Sequence, residues 1–302
     1  MRAIELKKYI VPAKIESNIT LIGDLHYTPS MEDGFLSTVS SEVRKDKATI
    51  CFVGDLLYEA SVVAKEEDRE KIRNFIKELS EENHVKIILG NHDIMSREAS
   101  VWVEDLRSLE FFKELERMEN VTFLDNTINS ELNTRNTFCG IHPGFSFYEN
   151  AGTKEALLKK LRELRYIREY RHNAMLDYYE QNKILLMHSP YSTCDEEINE
   201  ELRDYDLILT GHVDNRSIAN LIDNKTSDKG FITSYNDLLR NNSRGYKILS
   251  DTSHLIITGG LTKIAGYSKL KTFLNGMCPV SIDRIKLSPY TKELILRKER
   301  KI

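Results

Sequence analysis

Four short polar blocks occur in this chain, and each follows an apolar run. They are Gly23-Asp24-Leu25-His26, Gly54-Asp55, Gly90-Asn91-His92-Asp93 and Gly211-His212-Val213-Asp214, and His188 ends a further apolar run. Asp, Asn and His side chains are ligands for hard-to-borderline divalent metals. A pair of metal ions is a common catalyst of phosphoester hydrolysis, so the blocks predict one site that holds two divalent ions.

Five predicted strands place these residues. They cover residues 18–23, 48–54, 85–89, 184–187 and 207–210, and predicted helices over 35–45 and 66–82 separate the first three. This alternation predicts a parallel, layered α/β fold. Ligands bind beyond the carboxyl ends of the strands in such sheets, and each of the five runs ends in a residue of a ligand type. Packing alone would favour apolar or turn residues there.

The rest of the chain gives weaker predictions. Residues 97–118 predict a helical crossover, with Trp102, Leu106, Leu109 and Phe112 on its apolar face. Residues 154–181 predict a long helix whose apolar side carries Leu157, Leu161, Leu164, Ile167 and Tyr170. Residues 255–258 and 282–287 predict antiparallel strands. We expect one domain over 1–302, with a ligand-bearing core at about 18–214 and a β-rich part at about 215–302.

Each of the first three blocks has a second interpretation. Asp24 and His26 point the same way in an extended chain and could reach one metal, but a capping Asp at a strand-end turn fits equally. Asp55 could bridge two cations, although Gly-Asp is also a common turn. Asn91 offers a neutral oxygen and His92 suits proton donation to a leaving group, whereas a helix N-cap explains the same residues.

The two later histidines are best interpreted together. A lone His188 at the end of an apolar strand would be an ordinary structural residue. With His212 it becomes one of two imidazoles for a single metal. Gly211 precedes His212 as Gly54 precedes Asp55, which lets the backbone approach the site closely.

Taken together, the blocks resemble the calcineurin-like metallophosphoesterase superfamily. That family's pattern is D-x-H, G-D, G-N-H-D/E, H and G-H-x-H, and the resemblance covers about residues 18–214. It implies an α/β fold, a four-layer α/β/β/α sandwich of two mixed β-sheets flanked by helices, with a dinuclear metal centre. It implies His92 as the general acid. The first metal would be held by Asp24, His26 and Asp55, and the second by Asp55, Asn91, His188 and His212.

Two positions depart from the family pattern. Asp214 stands where the last block of the family has His. Asp is also a ligand for Mn²⁺, Mg²⁺ or Fe²⁺, so we expect Asp214 to ligate; the alternative is a first site that stays open. Many members carry a second Asp three residues after the bridging Asp55, and this chain has Tyr58 there. Glu59 or a backbone carbonyl could orient His92 in its place.

The resemblance implies a metal-dependent phosphohydrolase for a phosphomonoester or phosphodiester. A hydroxide bridging the metals would attack phosphorus, and His92 would protonate the leaving group. We expect two divalent ions, Mn²⁺ or Fe²⁺ first, with Mg²⁺ or Zn²⁺ as alternatives. A catalytically weak or inactive scaffold of the same fold, or a nuclease, is the alternative function.

A small phosphorylated substrate is the expected partner, with nucleic acid as a weaker alternative. Six basic residues of the long helix could steer a phosphate-rich ligand, although a solvated helix face explains them more simply: Lys159, Lys160, Arg162, Arg165, Arg168 and Arg171. The net charge of −4 gives no global attraction to nucleic acid. The four cysteines form no CxxC pair, no segment is apolar enough to span a bilayer, and the first residues do not resemble a signal peptide. We therefore expect a cytoplasmic protein of undetermined oligomeric state.

Overall fold

The computed structural model describes residues 17–23, 25, 27, 34–44, 48–57, 65–96, 103–104, 106–131, 136–141, 151–174, 182–188, 196–211, 245–250, 253–257, 282–287 and 294–297. The strands are β1 (Ser17–Ile22), β2 (Thr49–Phe52), β3 (Val85–Ile87), β4 (Met95–Ser96), β5 (Val103–Glu104), β6 (Val121–Phe123), β7 (Ile128–Glu131), β8 (Asn136–Ile141), β9 (Asn182–Met187), β10 (Leu207–Thr210), β11 (Gly245–Ser250), β12 (Ser253–Ile257), β13 (Ile282–Leu287) and β14 (Leu294–Arg297). The helices are α1 (Phe35–Val43), α2 (Glu66–Ser80), α3 (Asn91–Ile94), α4 (Leu106–Glu116), α5 (Ala151–Ala174) and α6 (Glu196–Leu202).

Two mixed sheets form the centre of the fold. Sheet I has the order β14-β13-β1-β2-β3-β6, and sheet II has the order β11-β12-β10-β9-β8-β7. Strands β1, β2, β3 and β6 run parallel in sheet I, as do β8, β9, β10 and β12 in sheet II. The antiparallel strands lie at the sheet edges, with β13 and β14 beyond β1, β11 beyond β12 and β7 beyond β8.

Alternation along the strands creates three hydrophobic cores. In β2, Ile50 and Phe52 pack with helices α1, α2 and α4, whereas Cys51 faces the space between the sheets. In β9, Leu185 and Met187 pack with α5 and α6. Side chains from both sheets form the middle core, and a helical layer covers the other face of each sheet. The predicted four-layer α/β/β/α sandwich is confirmed.

The central strands lie close to their predicted positions, because they are continuous apolar runs buried on both faces. Elsewhere the structure differs from the predictions made from the sequence. Within the crossover predicted to be helical over 97–118, the described helix is Leu106–Glu116, and Val103–Glu104 instead pairs antiparallel with Met95–Ser96; residues 97–102 and 105 lie outside the described residues. The strand predicted over 255–258 is Ser253–Ile257, which runs parallel to β10 and antiparallel only to β11. The sequence did not predict β7, β11 or α6.

Helix α5 ends at Ala174 in the described part of the chain, and residues 175–181 of its predicted range lie outside the described residues. The predicted apolar face was wrong at its end. Ile167 and Tyr170 are exposed, and Arg168 is buried in their place. Arg168 forms an ion pair with Asp204, and its guanidinium carbon lies 5.0 Å from the centre of the Tyr205 ring, so its charge has two partners.

A buried ion pair joins the two sheets. Lys86 on β3 is 2.9 Å from Glu131 on β7, and their side chains are 3% and 9% exposed. Lys86 Nζ also donates to Asn129 Oδ1 at 2.8 Å, and Thr49 Oγ1 donates to Glu131 Oε2 at 3.2 Å. These polar partners make burial of both charges tolerable.

The last strands of the chain complete both sheets. β13 pairs with β1 from Ser17↔Leu287 to Ile22↔Ile282, and β12 pairs with β10. The assignment of residues 1–302 to one domain stays a prediction. Among the helices that the structure describes, none combines the length and apolarity needed to cross a membrane.

Candidate metal centre

The predicted site residues follow the carboxyl ends of parallel strands in both sheets. Asp55 comes three residues after β2, Asn91 and His92 begin α3 shortly after β3, and His188 directly follows β9. Asp24, His26, His212 and Asp214 lie outside the described residues, as does the side chain of Asn91. The structure therefore tests the arrangement around Asp55, His92 and His188.

Asp55 and His188 meet across the two sheets. Asp55 Oδ2 lies 3.4 Å from His188 Nε2, and both side chains are fully buried. Two donor atoms bound at about 2.1 Å to one ion lie about 3.0–3.5 Å apart. The spacing of these two atoms therefore fits two ligands of one divalent ion, and an oxygen and an imidazole nitrogen suit Mn²⁺, Fe²⁺ or Zn²⁺.

A hydrogen bond to the backbone fixes the imidazole of His188. His188 Nδ1 lies 2.8 Å from the carbonyl oxygen of Val53. A carbonyl oxygen only accepts, so Nδ1 carries the proton, and in the neutral ring Nε2 then presents a lone pair toward Asp55. An outer hydrogen bond of this kind typically orients a metal-ligating histidine.

The carboxylate of Asp55 is fixed through its other oxygen. The backbone N–H of His92 donates to Asp55 Oδ1 at 2.9 Å, which leaves Oδ2 on the side of His188. Asp55 itself adopts a positive φ of 52°, a conformation that Asp tolerates better than most residues other than glycine.

Two glycines allow the loops to approach this closely. A Cβ on Gly54, whose φ is 103°, would lie 2.4 Å from His188 Nδ1. A Cβ on Gly90 would lie 2.0 Å from Asp55 Oδ1. The close approach predicted for the backbone at Gly54 is observed against His188 and Gly90.

Asp93 connects the loops that carry these residues. Asp93 Oδ1 accepts the backbone N–H of Leu57, and Oδ2 accepts that of Gly90, each at 2.9 Å. Burial and the nearby charge of Asp55 raise the pKa of Asp93 above its usual range, while the two amides and His188 oppose the rise. The sequence analysis gave Asp93 no role of its own. Its position three residues after Gly90, at the start of a helix, is the signal of a capping interaction.

His92 is buried at the start of α3, next to the predicted ligand Asn91. Tyr58 and Glu59, which bear on the orientation of His92, lie outside the described residues. Within the described ranges, no group of three or more His, Cys, Asp or Glu side chains could hold a metal ion. Asp55 and His188 are the predicted ligands whose side chains those ranges include.

The chain matches the family model for calcineurin-like phosphoesterase over residues 17–215, about two thirds of its length. It belongs to the calcineurin-like phosphoesterase family, whose members are phosphoester hydrolases that generally bind divalent metals. The match includes every predicted ligand block, with Asp214 near its end. A comparison with curated proteins finds no match.

Proposed function

We propose that the protein is a dinuclear metal-dependent phosphohydrolase that cleaves a phosphomonoester or phosphodiester. The observation that carries the proposal is the buried pair formed by Asp55 Oδ2 and His188 Nε2, 3.4 Å apart at the carboxyl ends of β2 and β9. The family match over residues 17–215 gives this pair its chemical context.

The proposed ligands form two sets that share Asp55. Oδ1 of Asp55 accepts the His92 amide, and Oδ2 faces His188 of the second set. When bound, the two ions would supply positive charge that polarises the phosphoryl group and makes a water molecule acidic. The first set is Asp24, His26, Asp55 and Asp214, and the second is Asp55, Asn91, His188 and His212.

His92 is the proposed general acid. It directly follows Asn91, and its backbone amide is hydrogen-bonded to Asp55, so its position is tied to the proposed centre. A protonated imidazole there would donate to the departing alkoxide oxygen. Its burial limits exchange of that proton with bulk water.

A small phosphorylated substrate is the proposed partner. The basic residues of α5 that could have steered a nucleic acid are largely engaged with acidic side chains. Arg162 and Arg165 pair with Glu201, and Arg168 pairs with Asp204. Their charge is therefore partly neutralised, which supports the simpler interpretation of this helix. The cytoplasmic location stays a prediction from the sequence.

The test compares hydrolysis of p-nitrophenyl phosphate with that of bis-p-nitrophenyl phosphate, with Mn²⁺, Fe²⁺, Mg²⁺ and Zn²⁺ added in turn to metal-free protein. We expect metal-dependent turnover, and Asp55→Asn should remove both turnover and tight metal binding. Absence of turnover with all four metals would contradict the proposal and favour a scaffold. A preference for one ester distinguishes a phosphomonoesterase from a phosphodiesterase.

A further inference from the structure

Asp93 occupies an unusual position among the loops of the proposed centre. Its carboxylate is fully buried, and each of its two oxygens accepts a backbone amide from a different loop. Leu57 lies two residues after Asp55, and Gly90 directly precedes Asn91. One side chain thus joins the loop after β2 to the loop after β3.

The connection extends to a third loop. The backbone N–H of Tyr27 donates to the carbonyl oxygen of Leu56 at 3.0 Å, and Tyr27 forms a bridge with Leu57. Tyr27 directly follows His26, so the segment that Asp93 holds also contacts the loop carrying Asp24 and His26. A carboxylate is suited to this role because both its oxygens accept. An Asn side chain would direct an NH₂ group at one of the two amides.

We propose that Asp93 is a positioning residue that holds the loops after β1, β2 and β3 in the arrangement that metal binding and proton donation require. The inference rests on the proposed function, since it assigns Asp93 to the same centre. Asp93 acts through Asp55, Asn91 and His92, and does not itself ligate a metal.

Asp68 provides a matched control. It is also buried, and its Oδ2 accepts the backbone N–H of Lys65, three residues earlier, at 3.2 Å. Asp68 therefore caps the N-terminus of α2, and Asp93 caps the N-terminus of α3 in the same way. Asp93 also accepts a hydrogen bond from the Leu57 amide of a second loop, whereas the hydrogen bond described for Asp68 is the one from the Lys65 amide. If Asp93 is only a helix cap, Asp93→Asn and Asp68→Asn should have similar effects.

The experiment measures Mn²⁺ binding to metal-free protein by electron paramagnetic resonance, together with thermal unfolding and with kcat and KM for p-nitrophenyl phosphate. We expect Asp93→Asn to weaken Mn²⁺ binding by about 10–100-fold and to lower kcat at saturating Mn²⁺, with little change in KM. Asp68→Asn keeps an acceptor oxygen for the Lys65 amide, so it should change Mn²⁺ affinity by less than about twofold. Equal Mn²⁺ affinities in the two variants would overturn the proposal.

Amide exchange in the unmodified protein tests the same contact if Asp93→Asn does not fold. The amides of Leu57 and Gly90 should exchange slowly without metal, and exchange of both at unprotected rates would overturn the proposal. Wild-type protein that binds Mn²⁺ but hydrolyses neither ester would contradict the proposed function alone. The Mn²⁺ affinities of Asp93→Asn and Asp68→Asn would still test the role of Asp93. Wild-type protein that binds none of Mn²⁺, Fe²⁺, Mg²⁺ and Zn²⁺ would overturn both.

Discussion

Replacing Gly54 by alanine isolates the effect of close approach on the proposed metal centre. Gly54 and Gly34 have similar φ angles, 103° and 97°. A Cβ at Gly54 would lie 2.4 Å from His188 Nδ1, whereas a Cβ at Gly34 would have Ser37 Oγ as its nearest atom, at 3.7 Å. Gly34→Ala therefore carries the backbone strain alone, and Gly54→Ala adds a collision with a proposed ligand.

The magnitudes follow from these distances. A positive φ costs an alanine about 1–2 kcal/mol, and both variants bear that cost. At Gly54 the imidazole must also move by about 0.6 Å, because Cβ atoms do not approach such atoms closer than 3.0 Å. Overpacking of this kind costs a further ~1–3 kcal/mol. A functional constellation tolerates displacements of about 0.5 Å, so Mn²⁺ affinity should fall about 10–100-fold in Gly54→Ala alone.

Urea unfolding and Mn²⁺ titration of the two variants provide the assay. We expect both to lose stability, Gly54→Ala by more, and only Gly54→Ala to lose Mn²⁺ affinity. The reasoning fails if the two variants bind Mn²⁺ equally well. It also fails if Gly34→Ala weakens binding as much as Gly54→Ala, because backbone strain would then be the cause.

Three further changes test the proposed acid, the buried ion pair and a buried thiol. His92→Ala should retain Mn²⁺ binding but lose more turnover on phenyl phosphate than on p-nitrophenyl phosphate, because the p-nitrophenolate leaving group needs protonation less. Equal losses of kcat on the two esters would contradict proton donation by His92. Lys86→Met leaves the charge of Glu131 buried and should cost about 3–5 kcal/mol in urea unfolding, whereas Lys86→Met with Glu131→Leu should recover most of it. Burial raises the pKa of the Cys139 thiol from 9.0 to about 11, so the unfolded chain ionises first and stability falls as pH rises through this range. Unfolding of Cys139→Ala measured from pH 8 to 11 should show a shallower decline than the wild type, and an identical decline would refute this cause.

The central strands and the helices between them could be predicted because their signals are local. β1, β2, β3, β9 and β10 are short, mostly apolar runs, which is typical of strands buried on both faces. The polar residue types after these runs could also be located, since ligand chemistry restricts them to Asp, Asn and His. Neither prediction needs knowledge of a distant contact.

Edge elements were missed because their signals are weak. β7 contains Ile128 as its one buried apolar residue, followed by Asn129, Ser130 and a glutamate, and it is a strand because β8 pairs with it. The prediction of which α5 residues face the core was also wrong at the end of the helix. Periodicity suggested Ile167 and Tyr170 for the buried side, but Asp204 and Tyr205 provide partners that bury Arg168. A preference that depends on a partner from a separate element cannot be read from the helix alone.

The sequence by itself determined which residues could do the chemistry and that each follows a strand. Tertiary structure decided which atoms meet. His188 is oriented by Val53, 135 positions earlier, and Asp93 holds Leu57 from 36 positions away. The first contact forms only when β2 and β9, strands of two different sheets, are brought together by the core between them, and the second only when β2 and β3 pair within sheet I. Hydrogen-bond partners are selected by distance and direction in the folded chain, and local sequence specifies neither.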